Sequence, residues 1–456
     1  MRQYRFVSVP RSVMTRAVIG FAATVFVFVV AGLVGPPLQA DKPPQYFVDE
    51  TKLPFDALSN TTTTRLWGVQ GGAGYRIEVP ANWNGELVLY AHGFRGGGLE
   101  LTVSNPPFRR YLVEHGFAWA ASSYATNGYD VTQGVKDTHD LGTRFNGLVG
   151  NPSRVYFTGT SMGGHITGVA IEQYPNHYDG AMPMCGVMGD NTLFDYFVEN
   201  HFAAQALAGL DVPFPFPADY SAVTVPQIKA LFASPLPFPG PSPPSLLVPF
   251  PAHLTLLGRQ WAGVVENLSG GDRPMFEQAF IYSQTGANFL FTQGVGSQPG
   301  SRTNLDTVYQ IDSDPALSAD EIALNASIRR VDLDPQARRE QGLAGVPAIA
   351  GDLKMPVLSM HTLGDLFVPF SMEQIYRRRA IANGVGDLLV TRAIRDINHC
   401  GFATVEMERG FADLVNWVQN GVKPAGDDIL TPATVANPNF GCTFTVPGHA
   451  LAPACP

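Results

Sequence analysis

The chain has 456 residues, of which 45% are hydrophobic and 15% charged, and its formal net charge is -9. That balance belongs to a folded protein with a large core and excludes an intrinsically disordered one. The charge is acidic, and the longest basic run is Arg377, Arg378 and Arg379, which reads as a solvated helix face; no nucleic-acid footprint is present.

Residues 1–40 read as an export signal. Arg2, Arg5, Arg11 and Arg16 make a basic start with no acidic residue before Asp41, and an uncharged, largely apolar run follows over 17–34. The stretch PPLQA offers Ala40 as a cleavage position. An uncleaved anchor is the alternative, because the run is near bilayer-spanning length. Cleavage leaves 26 basic residues against 39 acidic, no stable membrane span, and a secreted, periplasmic or cell-envelope location.

From Arg65 to about Cys185, short apolar runs alternate with helix-length segments. YRIEV and GELVLYAH read as strands, FRRYLVEH as a helix, GFAWAASS as a strand, and VTQGVKDTHDLGTRFNGL as a helix. RVYFTG is the next strand, followed by a turn at Ser161, a helix to about Tyr174 and the strand YDGAMPMCG. Strands spaced by helices in this way predict βαβ units and a mostly parallel sheet. The rhythm then breaks: residues 211–251 hold 12 of the 37 prolines and only three charged residues, Asp211, Asp219 and Lys229. Pro-rich stretches such as SPLPFPGPSPPS continue neither a helix nor a central strand. Alternation resumes with MPVLSMHT as a strand, SMEQIYRRRAIANG as a helix, DLLVTRAI as a strand and a closing helix in GFATVEMERGFADLVNWVQNG. The expected organisation is a core over 41–189, an inserted Pro-rich cap over 190–350, the rest of the core over 351–425, and a tail over 426–456.

The four cysteines, Cys185, Cys400, Cys442 and Cys455, permit two disulfides in three pairings. Pairing Cys442 with Cys455 would staple the tail, leaving Cys185 with Cys400.

The chemistry centres on GTSMG, residues 159–163, which matches G-x-S-x-G between a predicted strand and a predicted helix. A serine at such an elbow needs small neighbours, which Gly159, Gly163 and Gly164 supply. It also needs a base and an acid that orients the base. His399, in RDINHCGF, is the candidate base, and Asp365, in HTLGDLFVP, the candidate acid. Each follows a predicted parallel strand, so the three converge on one sheet edge. His361 is a weaker rival base and Asp396 the runner-up acid. The glycine-rich loop YAHGFRGGG suits an oxyanion hole, with the backbone amides of Phe94 and Met162 as donors and Arg95 as the alternative to Phe94. Tyr124 and Arg95 are candidate pocket residues, and Asn127 and Tyr129 could line the pocket or satisfy loop backbone.

These motifs, His92 and Gly93, the elbow, Asp365 and His399, resemble those of the α/β-hydrolase superfamily over roughly residues 65–190 and 350–420. The resemblance implies an eight-stranded, mostly parallel sheet with the cap after the sixth strand. It also implies Ser161 as nucleophile, Asp365 as orienting acid and His399 as general base. A disulfide between Cys185 and Cys400 would be similar to that of tannases and feruloyl esterases, which place one beside the triad. In that group, however, a cysteine directly precedes the nucleophile, where this chain has Thr160. The expected activity is a serine hydrolase cleaving a small-molecule carboxylic ester, on an apolar or aromatic substrate, with no metal or cofactor. An amidase or peptidase with the same triad, a non-catalytic binding protein of the same fold and a wall protein are the alternatives. Nothing in the sequence addresses an oligomeric state.

Overall fold

A computed structural model describes residues 45–234, 250–283, 289–450, 452 and 454–456. The expected export signal and residues 235–249 of the Pro-rich run lie outside the described residues. Among the described residues ten strands occur in chain order: β1 (Phe47–Val48), β2 (Thr63–Gln70), β3 (Ala73–Pro80), β4 (Glu86–Ala91), β5 (Glu100–Leu101), β6 (Ala118–Ser122), β7 (Arg154–Thr160), β8 (Gly180–Met184), β9 (Val357–Thr362) and β10 (Leu389–Ile394). β1 and β5 form a small parallel pair, and the other eight make one sheet in the order β10-β9-β8-β7-β4-β6-β3-β2. β3 is antiparallel to both β2 and β6, and the remaining neighbours are parallel. This is the mostly parallel α/β-hydrolase sheet, and the long insertion does follow its sixth strand, β8.

Burial explains which strands were legible. β4, β6, β8, β9 and β10 are buried at every residue, because helices cover both faces, and they read as continuous apolar runs. Alternate residues of β4 serve opposite layers. Leu87 and Leu89 pack with the helices Val131–Leu148 and Met162–Gln173, while Val88 and Tyr90 pack with the helix Thr404–Asn420. β2, TTRLWGVQ, is absent from the sequence reading. It is a half-exposed edge strand with too little apolar alternation to announce itself.

Between β8 and β9 the described chain forms helices, including Thr192–Leu207, Leu256–Ser269 and Phe276–Tyr282. Phe202, Trp261, Val264 and Phe280 from these helices share a core with Leu363, Leu366, Val368 and Phe370 of the loop after β9. The insertion leaves and returns at one point. Asp190 Oδ2 accepts from the Ile349 amide at 3.2 Å and from Arg379 Nη1 at 2.6 Å, and Arg379 Nη1 also donates to the Ile349 carbonyl at 2.7 Å. Arg379 is therefore a buried-side anchor rather than part of a solvated basic face. Among the described residues no helix is long and apolar enough to cross a membrane.

The two disulfides are Cys185 with Cys400 and Cys442 with Cys455. The second closes a tail that folds back on the loop after β10. The Arg395 amide donates to Thr445 Oγ1 at 2.8 Å, and Arg395 Nη1 donates to the Pro438 carbonyl at 2.7 Å. His449 lies between two buried carboxylates, with Nδ1 at 2.7 Å from Asp396 Oδ2 and Nε2 at 2.9 Å from Glu406 Oε1. Its hydrogen bonds to Asp396 and then Glu406 raise its pKa from 6.5 to about 10, against the opposing effect of burial. Replacing His449 with Ala leaves two buried carboxylates facing each other and should cost about 3 kcal/mol of stability near neutral pH. A raised folded-state pKa stabilises fully below the unfolded value, 6.5, and that contribution is gone once the pH has risen through about 10. Urea titrations of parent and His449→Ala should therefore show a gap in midpoint that narrows as the pH is raised through that window.

Candidate active site

The elbow is built by steric necessity. Ser161 sits between β7 and the helix Met162–Gln173 with φ 59° and ψ -123°, a backbone conformation that L residues rarely adopt. The turn is held from both sides. The Ser161 amide donates to the Met184 carbonyl of β8 at 3.0 Å, and its carbonyl accepts from the Gly164 amide at 2.8 Å. A Cβ on Gly163 would stand 2.1 Å from the Ala91 carbonyl oxygen of β4, so no side chain fits there. The helix can start this close to β4 only because that residue is glycine.

Three side chains from three strand ends meet. His399 Nε2 is 2.8 Å from Ser161 Oγ, and His399 Nδ1 is 2.6 Å from Asp365 Oδ2. Asp365 is fully buried, and its Oδ1 accepts the amides of Phe367 and Val368 at 2.9 Å each. Because a carboxylate can only accept, Nδ1–H donates to Asp365 and the bare Nε2 faces the serine hydroxyl. An imidazole so placed can take the hydroxyl proton as the oxygen attacks an electrophile. Asp396, the runner-up acid, instead turns its Oδ1 to the Asn398 amide at 2.7 Å and its Oδ2 to His449. His361, the rival base, is fully buried behind Asp365 with Nε2 bonded to the Val368 carbonyl at 2.8 Å.

The loop after β4 lies against the serine. A Cβ on Gly93 would come within 3.0 Å of Ser161 Cβ, so only a glycine lets the loop approach the serine this closely. Met162 opens its helix, and its amide has no carbonyl four residues back within that helix. Tyr124 is buried, stacks on His92 with ring centroids 4.1 Å apart, and donates its hydroxyl to the His92 carbonyl at 3.0 Å. It supports the loop from behind. Burial pushes His92 down to about 4, so that ring is uncharged at neutral pH. Asn127 Nδ2 ties the same loop through the Gly98 and Glu100 carbonyls, at 2.6 and 2.9 Å. Arg95 is exposed and donates to Thr102 Oγ1 at 3.1 Å. Tyr129 bonds His165 Nδ1 through its hydroxyl at 3.0 Å.

The disulfide from Cys185 to Cys400 joins the end of β8 to the residue after His399, and Cys400 Sγ is 3.5 Å from His399 Nε2. Both cysteines have positive φ, 44° and 57°. The bond fixes the His399 loop to the strand that also anchors the Ser161 amide. The sequence reading misses an aromatic series beside His399. The half-buried Phe367 ring is 5.2 Å from the His399 ring, and Phe197 stacks on Phe367 at 5.8 Å. Phe194 follows at 6.2 Å from Phe197, and Tyr129 packs edge-on to Phe194 at 5.0 Å. The helical spacing of Phe194 and Phe197 in FDYF was the available signal.

No protein-family model matches the chain. The o-phthalyl amidase of Xanthobacter agilis is 23% identical over 430 residues, covering 84% of this chain and 93% of that protein. Acetylxylan esterase A of Emericella nidulans is 26% identical over 156 residues, which is 31% of this chain and 51% of that protein. Among solved structures, feruloyl esterase B from Aspergillus oryzae matches 84% of this chain and 86% of its own, with 14% identity and a TM-score of 0.46.

The elbow geometry predicts that Gly163→Ala destabilises the protein. The clash is with backbone of a central strand, which cannot move aside, so a loss of about 2–3 kcal/mol is expected from overpacking. Thermal melting of the variant should show it, with esterase or amidase turnover falling in parallel.

Proposed function

We propose that this chain, an enzyme of the α/β-hydrolase fold similar to esterases and an amidase, is an exported serine hydrolase that cleaves a carboxylic ester or amide through Ser161, His399 and Asp365. The observation that carries the reading is the continuous hydrogen-bonded line from Ser161 Oγ through both ring nitrogens of His399 to a buried carboxylate. His399 takes the Ser161 proton as Oγ attacks the acyl carbon, and Asp365 stabilises the imidazolium that forms. The Phe94 and Met162 amides receive the developing oxyanion, helped by the N-terminal end of the helix that Met162 opens. The imidazolium then protonates the departing alcohol or amine. Water, deprotonated by His399, releases the acid and restores the serine.

The insertion over 190–350 acts as a cap that supplies the acyl pocket. The series Phe367, Phe197 and Phe194 supports an apolar or aromatic acyl group, because it presents ring faces and edges beside the base. Ester cleavage is the primary reading. Amide cleavage is the second, favoured by the amidase likeness that runs over most of the chain. Two disulfides support an oxidising destination, in keeping with residues 1–40 as an export signal.

The experiment is labelling of the purified protein with a fluorophosphonate probe, followed by turnover of p-nitrophenyl esters and matched anilides. The parent should label, and Ser161→Ala should not, with turnover reduced at least about 10⁴-fold. Labelling that persists in Ser161→Ala would remove the serine from its role, and the ester-to-anilide ratio decides between the two readings. A pocket wall at Phe367 predicts that Phe367→Ala raises KM for an aryl ester by about tenfold, as burial of one ring face is lost, while acetyl ester KM stays within about twofold.

A further inference from the structure

His361, Asp365 and Glu373 form a line of ionisable groups with almost no contact with water; their side chains are 0%, 0% and 1% exposed. His361 Nε2 stands 3.8 Å from Asp365 Oδ2, and His361 Nδ1 stands 3.8 Å from Glu373 Oε2. Neither approach is a hydrogen bond. The His361 Nε2 proton goes to the Val368 carbonyl at 2.8 Å, which can only accept. Among the described residues Nδ1 has no hydrogen-bond partner, and neither does Glu373 Oε1. Glu373 Oε2 accepts from Ser359 Oγ at 2.9 Å. A neutral His361 would therefore aim a bare nitrogen lone pair at a carboxylate inside the core. That repulsion disappears only when a second proton resides between Nδ1 and Glu373.

We propose that His361 and Glu373 are positioning residues that hold this proton as an imidazolium–carboxylate pair behind Asp365, and that the imidazolium keeps Asp365 ionised and restrains the basicity of His399. The proposal rests on the reading of Ser161, His399 and Asp365 as a triad. Asp365 has its remaining acceptor capacity filled by Phe367, Val368 and His399, so His361 acts on it through charge. Around His361, Asp365 approaches from the loop after β9 and Glu373 from the helix Ser371–Ala382, while the Phe370 ring lies at 6.1 Å. Arg273, which donates through Nε to the Leu363 carbonyl at 2.7 Å, is the second cation that acts on Asp365, and Tyr196, whose hydroxyl donates to the Leu366 carbonyl at 3.2 Å, is the neutral titratable group on that side. Tyr376 lies on the Glu373 side. Burial alone would push the His361 pKa down, but Glu373 and then Asp365 outweigh it and raise the value above 6.5. With Glu373, His361 and Asp365 charged, the buried line alternates in sign and carries one net negative charge. Without the His361 proton it would carry two at close range.

The test is the pH profile of kcat/KM for p-nitrophenyl acetate in the full-length parent, His361→Gln and Glu373→Gln. Gln at 361 can still donate to the Val368 carbonyl, and Gln at 373 can donate to Nδ1 and leave His361 neutral. Both variants remove the cation, so His399 holds its proton to higher pH and the acid limb moves upward. The shift should be about one unit in His361→Gln and smaller in Glu373→Gln. Packing damage alone would lower kcat with the limb unmoved, and that result overturns the proposal. Fluorophosphonate labelling is read on the same samples. A parent that fails to label overturns the triad reading and this proposal with it, whereas a labelled parent with unmoved limbs in both variants overturns this proposal alone. If a variant does not fold, histidine NMR of the parent decides: both ring nitrogens of His361 protonated through the neutral range supports the pair, and one bare nitrogen overturns it.

Discussion

The structure depends on keeping a carboxylate charged where no water reaches it. Asp365 is fully buried, and burial of an unpaired carboxylate would cost several kcal/mol. Its two oxygens are therefore provided for by the chain itself: the Phe367 and Val368 amides on one side and the His399 ring on the other. The two amides are available because residues 363–370 fold into a tight loop. That loop is tight because Leu363, Leu366, Val368 and Phe370 are packed into the apolar core of the insertion. The insertion is thus a structural partner of Asp365 before it is anything else. Remove its core and the carboxylate loses the loop that solvates it.

The same economy governs the histidine. His399 stands on a short loop after β10 that would have little structure alone, and it is constrained from three directions. Asp365 holds the ring, the disulfide from Cys400 to Cys185 holds the following residue against β8, and Asp396 folds the preceding turn through the Asn398 amide. Asp396 in turn needs a cation, which the tail supplies as His449. Ser161 hangs from β8 through its amide, so Ser161 and His399 are referenced to the same strand. Small displacements of the tail or the insertion consequently act on one geometry.

How much of this was readable depended on burial. Strands β4, β7, β8, β9 and β10 announce themselves because a parallel strand covered on both faces has little choice but an apolar sequence. From their order, the convergence of Ser161, Asp365 and His399 follows by topology, without knowledge of any distance. Edge strand β2 escaped because half its surface faces water and its sequence is correspondingly free. The aromatic series at Phe194, Phe197 and Phe367 escaped for a different reason. Its members come from elements 170 residues apart, and an apolar residue in a helix reads the same whether it faces a core or a cavity. Tyr124, read from the sequence as a pocket candidate, stacks behind the loop because its hydroxyl finds the His92 carbonyl, a contact that no local pattern encodes.

The two carboxylates near His399 show why residue type and position do not settle role. Asp365 and Asp396 both follow a sheet strand, and Asp396 is the closer to His399 in sequence. Geometry separates them through their cations. Asp396 spends both oxygens within three residues and on the tail, where His449, raised to about 10, neutralises it permanently at neutral pH. A carboxylate so fully matched has nothing left to offer a ring that must gain and lose charge. Asp365 is hydrogen-bonded only by neutral amides and by the ring itself, and His361 and Arg273 reach it through charge alone, so one oxygen stays turned to the His399 ring. An acid that orients a base needs an oxygen not already held by another cation's hydrogen bond, and of these two carboxylates Asp365 has one.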